Sequence, residues 1–390
     1  MPWKETTSMD ERVKFMRDYA EGLYRFSELC AHYSISRKTG YKWLARYQTK
    51  GEAGLQDQSR APKGCPHQVK GVVAEKLIAF RKRHPHWGPK KIVAVLAERE
   101  ARVAWPAPST VGALLKRAGL VEPRRRRPQP GHPGLGETAM DAPNRVWTAD
   151  FKGEFKTRDG AYCYPLTVVD GYSRYLLACQ ALSSTEHVGV VPVFEGLFRE
   201  HGLPEVIRTD NGVPFASQAI RRLSRLQVWW IKLGIMPELI EPAHPEQNGR
   251  HERLHRTLKA EATRPPAASA RGQQRVFDRF RTEYNAERPH EALGQVAPAK
   301  VYHASPRRVP GRLAQIVYPA HYEVRLVSRN GGMRWNKAWV NVSHVLAEEY
   351  VGLEEVNDGV WSVYFGPVLL GRMDEKVGRI AGTRDYYKPE

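Results

Sequence analysis

Val146-Trp147-Thr148-Ala149-Asp150-Phe151 and Glu205-Val206-Ile207-Arg208-Thr209-Asp210-Asn211-Gly212 decide the fold of this chain. Both runs are short, apolar and rich in β-formers, and each places an Asp at or near its end. Packing of Trp147 and Phe151 predicts that the Asp150 carboxylate leaves the sheet near the edge of the core. Asn211-Gly212 lets the chain turn away directly after Asp210. Around these runs, residues 162–169 read as a strand, Asp170-Gly171 as a turn and residues 174–182 as the returning strand. Residues 188–201 predict an amphipathic helix, 216–233 another helix, 236–240 a fifth strand and 249–261 a helix. A β-hairpin followed by alternating helix and strand predicts an α/β region with a mixed sheet.

The helix at 249–261 carries a third acid, Glu252, near its start. Arg256 and Lys259 share its face at i+4 and i+7. A single Asp at a strand end is ordinarily a turn or cap residue, and charges on one helix face are ordinarily intrahelical ion pairs. The three together suit a metal site: Asp, Asp and Glu converging on one point can hold two hard cations such as magnesium. Two cations about 4 Å apart serve in-line displacement at a phosphodiester.

Charge points to nucleic acid. The chain has 390 residues and a net charge of +19. Residues 1–140 hold 27 Lys/Arg against 13 Asp/Glu, and residues 141–390 hold 34 against 29. Such front-loading suits a DNA-gripping N-terminal part and a more neutral catalytic part; simple solubility is the alternative. Cys30, Cys65, Cys163 and Cys179 form no C-x-x-C pair, which argues against a disulfide framework or a Cys-based zinc site. The first ten residues lack an apolar signal core, and no apolar run approaches the ~20 residues of a membrane span. A cytoplasmic, nucleoid-associated protein is expected.

The N-terminal part reads as helices. One begins at Arg12, a second spans residues 26–33, and Ser34-Ile35-Ser36 turns into a third at 37–47, with Ser36 as N-cap and Tyr41, Leu44 and Ala45 inward. Short helix, tight turn and basic helix make the helix-turn-helix pattern. Arg37, Lys38, Lys42 and Arg46 then face DNA; a three-helix bundle with solvated charges is the alternative. Glycines and prolines mark a linker at 51–66. Residues 67–121 read as a second helix-turn-helix-like unit, broken around Gly88-Pro89, with Ser109 or Thr110 capping its last helix. Residues 122–144 are an extended linker in which Arg124, Arg125, Arg126 and Arg127 sit among prolines. Those arginines either lie along phosphates or only solubilise a hinge. After Pro306 alternating runs and the turns Asn330-Gly331-Gly332 and Asn357-Asp358-Gly359 predict a small all-β domain at 306–390, an SH3-like barrel.

Trp147-Thr148-Ala149-Asp150, Thr209-Asp210-Asn211-Gly212 and the stretch from His244 to Lys259 resemble the three signatures of DDE transposases and retroviral-type integrases, most closely single-frame bacterial insertion-sequence transposases. Asp170-Gly171-Tyr172-Ser173-Arg174 and the run from Tyr284 to Gly294 followed by Pro298 resemble further motifs of that core. The resemblance covers residues 145–303. It implies a ribonuclease-H-like catalytic core at 145–305 and a metal-binding catalytic triad of Asp150, Asp210 and Glu252. Glu252 is preferred to Glu246 because it follows the Asn248-Gly249 pair. The spacing between Asp210 and Glu252 exceeds that usual in retroviral-type members, a difference that a longer helix or loop around Trp229-Trp230 would absorb. The His/His/Cys/Cys zinc module of retroviral integrases is absent.

The resemblance further implies two Mg2+ ions per active site, with Mn2+ as substitute, and cleavage and strand transfer at insertion-sequence ends without a covalent enzyme–DNA intermediate. The partners would be double-stranded DNA, as terminal repeats and as target, and further copies of the chain in a homo-oligomer. Arg256 and Lys259 would hold substrate DNA; His255 would either join them or pack inward. A DNA-binding regulator with an inactive core and a hydrolysis-only nuclease are the alternatives. A tyrosine recombinase lacks a supporting Arg/His arrangement despite the 17 tyrosines.

Overall fold

The computed structural model describes residues 6–60, 69–122, 138–241 and 249–382. The chain divides into two compact units, residues 1–68 and 69–390. In the first, α1 (Ser8–Glu21), α2 (Phe26–His32) and α3 (Arg37–Lys50) pack around Phe15, Met16, Leu29, Cys30 and Trp43. The Ser36 side chain caps α3 by accepting from the Thr39 N–H, as the sequence predicts. The inward face differs from expectation. Gly40 and Trp43 are buried, Tyr41 and Ala45 are exposed, and Leu44 is half-buried. The Tyr41 ring instead stacks on Phe26 at 4.2 Å. The predicted linker also begins later than expected. Residues Gly51–Leu55 form a 3-10 turn whose Leu55 is buried in the same core. A Cβ on Gly54 would lie 2.2 Å from the Arg46 carbonyl oxygen, so this glycine allows close packing rather than flexibility.

In the second unit α4 (Gly71–Arg83), α5 (Pro89–Arg99) and α6 (Pro108–Arg117) enclose Leu77, Trp87, Ile92, Val111 and Leu115. Pro89 and Pro108 sit in the first turn of α5 and α6, where a missing N–H costs nothing. The N-cap of α6 is Ala107 without a side-chain bond, not Ser109 or Thr110. Arg124 to Arg127 lie outside the described residues.

The central sheet is mixed. Strands β1 (Val146–Phe151), β2 (Phe155–Lys156), β3 (Tyr162–Asp170), β4 (Leu176–Leu182), β5 (Val206–Thr209) and β6 (Met236–Leu239) run in the order β2-β3-β1-β5-β6, with β4 also paired to β3. β3 is antiparallel to β1 and β4, whereas β1, β5 and β6 are parallel. Alternation sends β1 side chains to opposite faces. Trp147 and Ala149 join a core with α7 (His187–His201) and α8 (Arg225–Lys232), through Phe194, Phe198 and Trp230. The other face packs α9 (Gly249–Ala262) and α10 (Ala270–Ala286) through Leu254, Leu258 and Phe277. Only part of the helix expected at 216–233 forms. Arg221 and Arg222 have φ near 54° and 56°, and the Ser224 side chain caps α8 by accepting from the Gln227 N–H. Helix α8 is therefore short, at 8 residues.

The C-terminal region is all-β but open. β7 (Glu323–Leu326), β10 (Tyr350–Asn357), β11 (Val360–Phe365), β12 (Val368–Asp374) and β13 (Arg379–Ala381) form one antiparallel sheet, and β8 (Gly332–Trp335) pairs with β9 (Ala338–Asn341) in a second. The predicted closed barrel is not formed among the described residues. The two sheets share one apolar cluster with Leu223, Val228 and Ile231 from the α8 region.

Candidate active site

Parallel pairing brings the first two acids together. Val146 to Ala149 register with Val206 to Thr209. One further step ends the β1–β5 pairing, with Asp150 still paired to Thr167 of β3 and Asp210 just past the end of β5, on neighbouring strands about 4.8 Å apart. Asn211 donates its side-chain amide to the Ile240 carbonyl at 2.8 Å, which ties the Asp210 loop to the end of β6. The Gly212 N–H donates to Asp210 Oδ1 at 3.2 Å, and a Cβ on Gly212 would stand 3.0 Å from Asp210 Oδ2. Beneath this loop Arg208 and Glu238, both buried, pair at 2.6 Å, and Arg208 also donates to the Thr138 carbonyl.

Helix α9 supplies the third acid. Its buried stripe is His251, Leu254, His255, Leu258 and Ala262, a helical spacing of apolar and neutral side chains. This stripe docks on the face of β1 and β3 that carries Thr148, Asp150 and Thr167. The Thr148 hydroxyl is 2.9 Å from His251 Nδ1, and the Thr167 hydroxyl is 2.6 Å from His251 Nε2 and 2.8 Å from His255 Nε2. Glu252, adjacent to the docked His251, is exposed at the rim, on the same side as exposed Arg256 and Lys259. His255 is buried and turned toward Asp150, with Nδ1 3.8 Å from Oδ2, so it is not a surface contact for DNA.

The electrostatics fit a cation. Burial, then the charge of Asp210, and further that of Glu252, push the Asp150 carboxyl up to about 7. Burial also raises Asp210. Carboxylates that crowd each other in this way are relieved by a divalent cation between them. The donor set, three carboxylates, is that of hard ions such as Mg2+ or Mn2+. Burial holds His255 down to about 3 and His251 well below its ordinary range, so both rings are neutral.

Several neighbours of the acids escape sequence reading. Thr148 and His251 lie inside two of the quoted signatures and Thr167 outside them, but nothing in those runs singles them out; only the i, i+3, i+4, i+7 spacing of His251, Leu254, His255 and Leu258 marks an inward face. Lys152, two residues past Asp150, is held low by burial and by the charges of Lys259 and Arg264, which places a basic cluster beside the acids. Asp170 is a turn anchor instead. Its buried carboxylate accepts from the Asn144 N–H at 2.7 Å, the Ser173 N–H at 2.8 Å and the Ser173 hydroxyl at 2.5 Å.

Known families match several parts of the chain. Models of the integrase core domain match residues 140–245 and 233–298. Together these two matches span residues 140–298, the region that holds the sheet and the three acids. Ahead of the integrase core, a helix-turn-helix domain model matches residues 11–63 and a homeodomain-like model matches residues 39–115. The chain is 28% identical over 237 residues to an uncharacterized 31.7 kDa protein of the insertion element IS407 from Burkholderia multivorans, covering 60% of this chain and 82% of that one. It is 26% identical over 252 residues to an uncharacterized 39.2 kDa protein of the insertion element IS476 from Xanthomonas euvesicatoria, covering 64% and 69%. Identity with the Gag-Pol polyprotein of baboon endogenous virus is 33% over 132 residues, 34% of this chain and 7% of the polyprotein. Among solved structures, the HTLV-2 integrase catalytic core domain in complex with magnesium aligns at 17% identity and a TM-score of 0.33, over 42% of this chain and 98% of that one. No helix among the described residues is long and apolar enough to cross a membrane.

Proposed function

We propose that this chain is a DDE-type transposase, a metal-dependent polynucleotidyl transferase that cuts DNA at insertion-sequence ends and joins the freed ends to target DNA. The observation that supports the reading is the register of β1 and β5, which ends one residue before Asp150 and Asp210, with the charges of Asp210 and Glu252 both felt at the Asp150 carboxyl. Asp150, Asp210 and Glu252 would hold two Mg2+ ions, or Mn2+ in their place. When bound, such a pair activates the attacking water or hydroxyl and stabilises the leaving oxygen.

The chain's own residues supply the rest. The β1–β5 pairing and the α9 dock would set the backbone that carries the three carboxylates, which limits the reorganisation needed when charge develops. Exposed Arg256 and Lys259, with Lys152 beside them, would draw a phosphodiester toward the acids. In residues 1–68, Arg37 and Lys38 in the first turn of α3, with Lys42 and Arg46 further along, would contact the terminal repeats; phosphates give affinity and base edges give register. Joining two ends requires at least two copies of the chain at the synapse. The protein would act in the cytoplasm, on the nucleoid.

Strand cleavage and strand joining on duplexes carrying the element's ends test the reading. The chain is expected to do both with Mg2+ or Mn2+. Asp210→Asn is expected to lose both while keeping DNA affinity. Full cleavage by that variant would reject the metal role, and cleavage without joining would favour a nuclease.

A further inference from the structure

Around the start of α9, cations gather without matching acids. Arg174, in the turn between β3 and β4, and Arg250, at the start of α9, each donate a guanidinium Nη1 to the Gly171 carbonyl, Arg250 at 2.8 Å. Two guanidinium groups that share one acceptor stand close and repel each other. Arg250 has the Met140 sulfur as a further partner, at 2.9 Å. Arg253 follows on the next turn of α9 and is exposed. Lys91 enters from the first turn of α5 and is half-buried. Among the described residues, neither Arg253 nor Lys91 has an ion pair or a side-chain hydrogen bond. The nearby acids are already engaged. Glu261 accepts two bonds from Arg288 at 2.8 Å, Glu291 pairs with Lys90 at 2.7 Å, and Asp170 takes the three bonds of its turn.

His290, in the loop after α10, feels most of these charges. Its ring packs edge-on to Tyr284 at 4.9 Å, and its Nε2 is buried without a hydrogen-bond partner among the described residues. Burial, then the charges of Lys91, Arg288, Arg174 and Arg253, hold the ring down to about 3, so it is neutral and can present an N–H. Burial, then the charge of Arg288 and further that of Arg253, lower the Lys91 ammonium to about 8, although Glu261 and Glu291 pull the other way. The Arg288 guanidinium lies over the Trp87 ring, 5.7 Å from its centroid, so the helices before the core and the core itself share this corner. A solvated basic face would not enclose a lysine and a histidine nitrogen among like charges. Cations brought together from several elements with their acids spent call for an anion.

We propose that Lys91, Arg174, Arg250 and Arg253, with the His290 N–H, form a seat for one backbone phosphate of DNA, built jointly by α5 and the core and flanking the bond that the acids would cut. This rests on the DNA-processing reading above and deepens it. Arg250 and Arg253 stand on either side of Glu252 in α9, which sets the place of the seat. Guanidinium forks match phosphate oxygens in pairs.

The test is the affinity of the full chain for a duplex carrying the element's end, read by fluorescence anisotropy across salt concentrations in chelator, so that no metal is needed. Arg253→Gln is expected to weaken binding about ten-fold at about 0.1 M salt and to reduce the slope of log affinity against log salt by about 1. Arg275→Gln, which removes an exposed arginine of α10, is expected to change neither. A neutral methylphosphonate moved one linkage at a time past the cleavage position should weaken the parent at one linkage that leaves Arg253→Gln and Lys91→Gln unaffected. If Arg253→Gln binds as tightly as the parent, or responds to every linkage as the parent does, the seat is overturned and the cutting proposal stands. If that variant shows the lost contact but the parent never cuts DNA with Mg2+ or Mn2+, the cutting proposal falls and the seat stands. A parent that binds no duplex would overturn both. Inorganic phosphate that raises the melting temperature of the parent alone, with duplex affinity the same in Arg253→Gln, would assign the seat to a free anion and overturn the DNA claim.

Discussion

Thr167 concentrates three hydrogen bonds on one buried hydroxyl. Thr167→Val leaves two imidazole nitrogens and a carbonyl without that partner, and such losses cost about 1–3 kcal/mol each when buried. Urea unfolding should therefore find the variant less stable by at least that much; an unchanged midpoint would mean the network is not formed. Asp150 makes a pH-dependent contribution. Its carboxyl ordinarily titrates at 3.8 and in the fold at about 7. Between those values the native state holds a proton the unfolded chain has released, so metal-free stability falls as pH rises through this window. In chelator, Asp150→Asn should be more stable than the parent at pH 8, with the gap closing toward pH 5. An equal gap at both pH values would remove the crowding argument. At this scale the acids were legible because each stands beside a turn or helix start. The hydroxyl network was not, since Thr148 and Thr167 gain meaning only from the register that sets Asp150 opposite Thr167.

Helix α9 holds Glu252 only through its docked face. Leu258→Ala removes a fully buried side chain from that face, a change that typically costs about 2–5 kcal/mol. Thermal unfolding should show the loss, and cleavage should fall more than DNA binding, because residues 37–50 carry the proposed grip. Equal loss of both activities would contradict that division. The strands and α9 were readable from period and turn residues. Helix α10 has no counterpart among the expected elements although Gln273, Phe277, Phe280 and Tyr284 repeat at helical spacing and are buried; its exposed face is so polar that the short apolar stripe is diluted. The helix expected at 216–233 failed for the opposite reason. Apolar residues there continue through a segment whose backbone turns left-handed at Arg221 and Arg222.

At the scale of the molecule, the C-terminal sheets and the α8 region share one core. Leu223, Val228 and Ile231 are buried against Val351, Val363 and Phe365. Ending the chain at residue 305 strips these side chains of cover, and calorimetry should find residues 69–305 melting below residues 69–390; equal melting temperatures would show that the shared cluster contributes nothing. Sequence reading separated these regions because composition changes after Pro306, whereas cores form by contact in space. The central claim, that three distant carboxylates make one cation site, is tested most directly by anomalous scattering from crystals soaked in Mn2+. Two peaks about 4 Å apart, each touching Asp150 and together touching Asp210 and Glu252, are predicted. Peaks that avoid these residues, or a Glu252 carboxylate turned away from both aspartates with Mn2+ present, would contradict it.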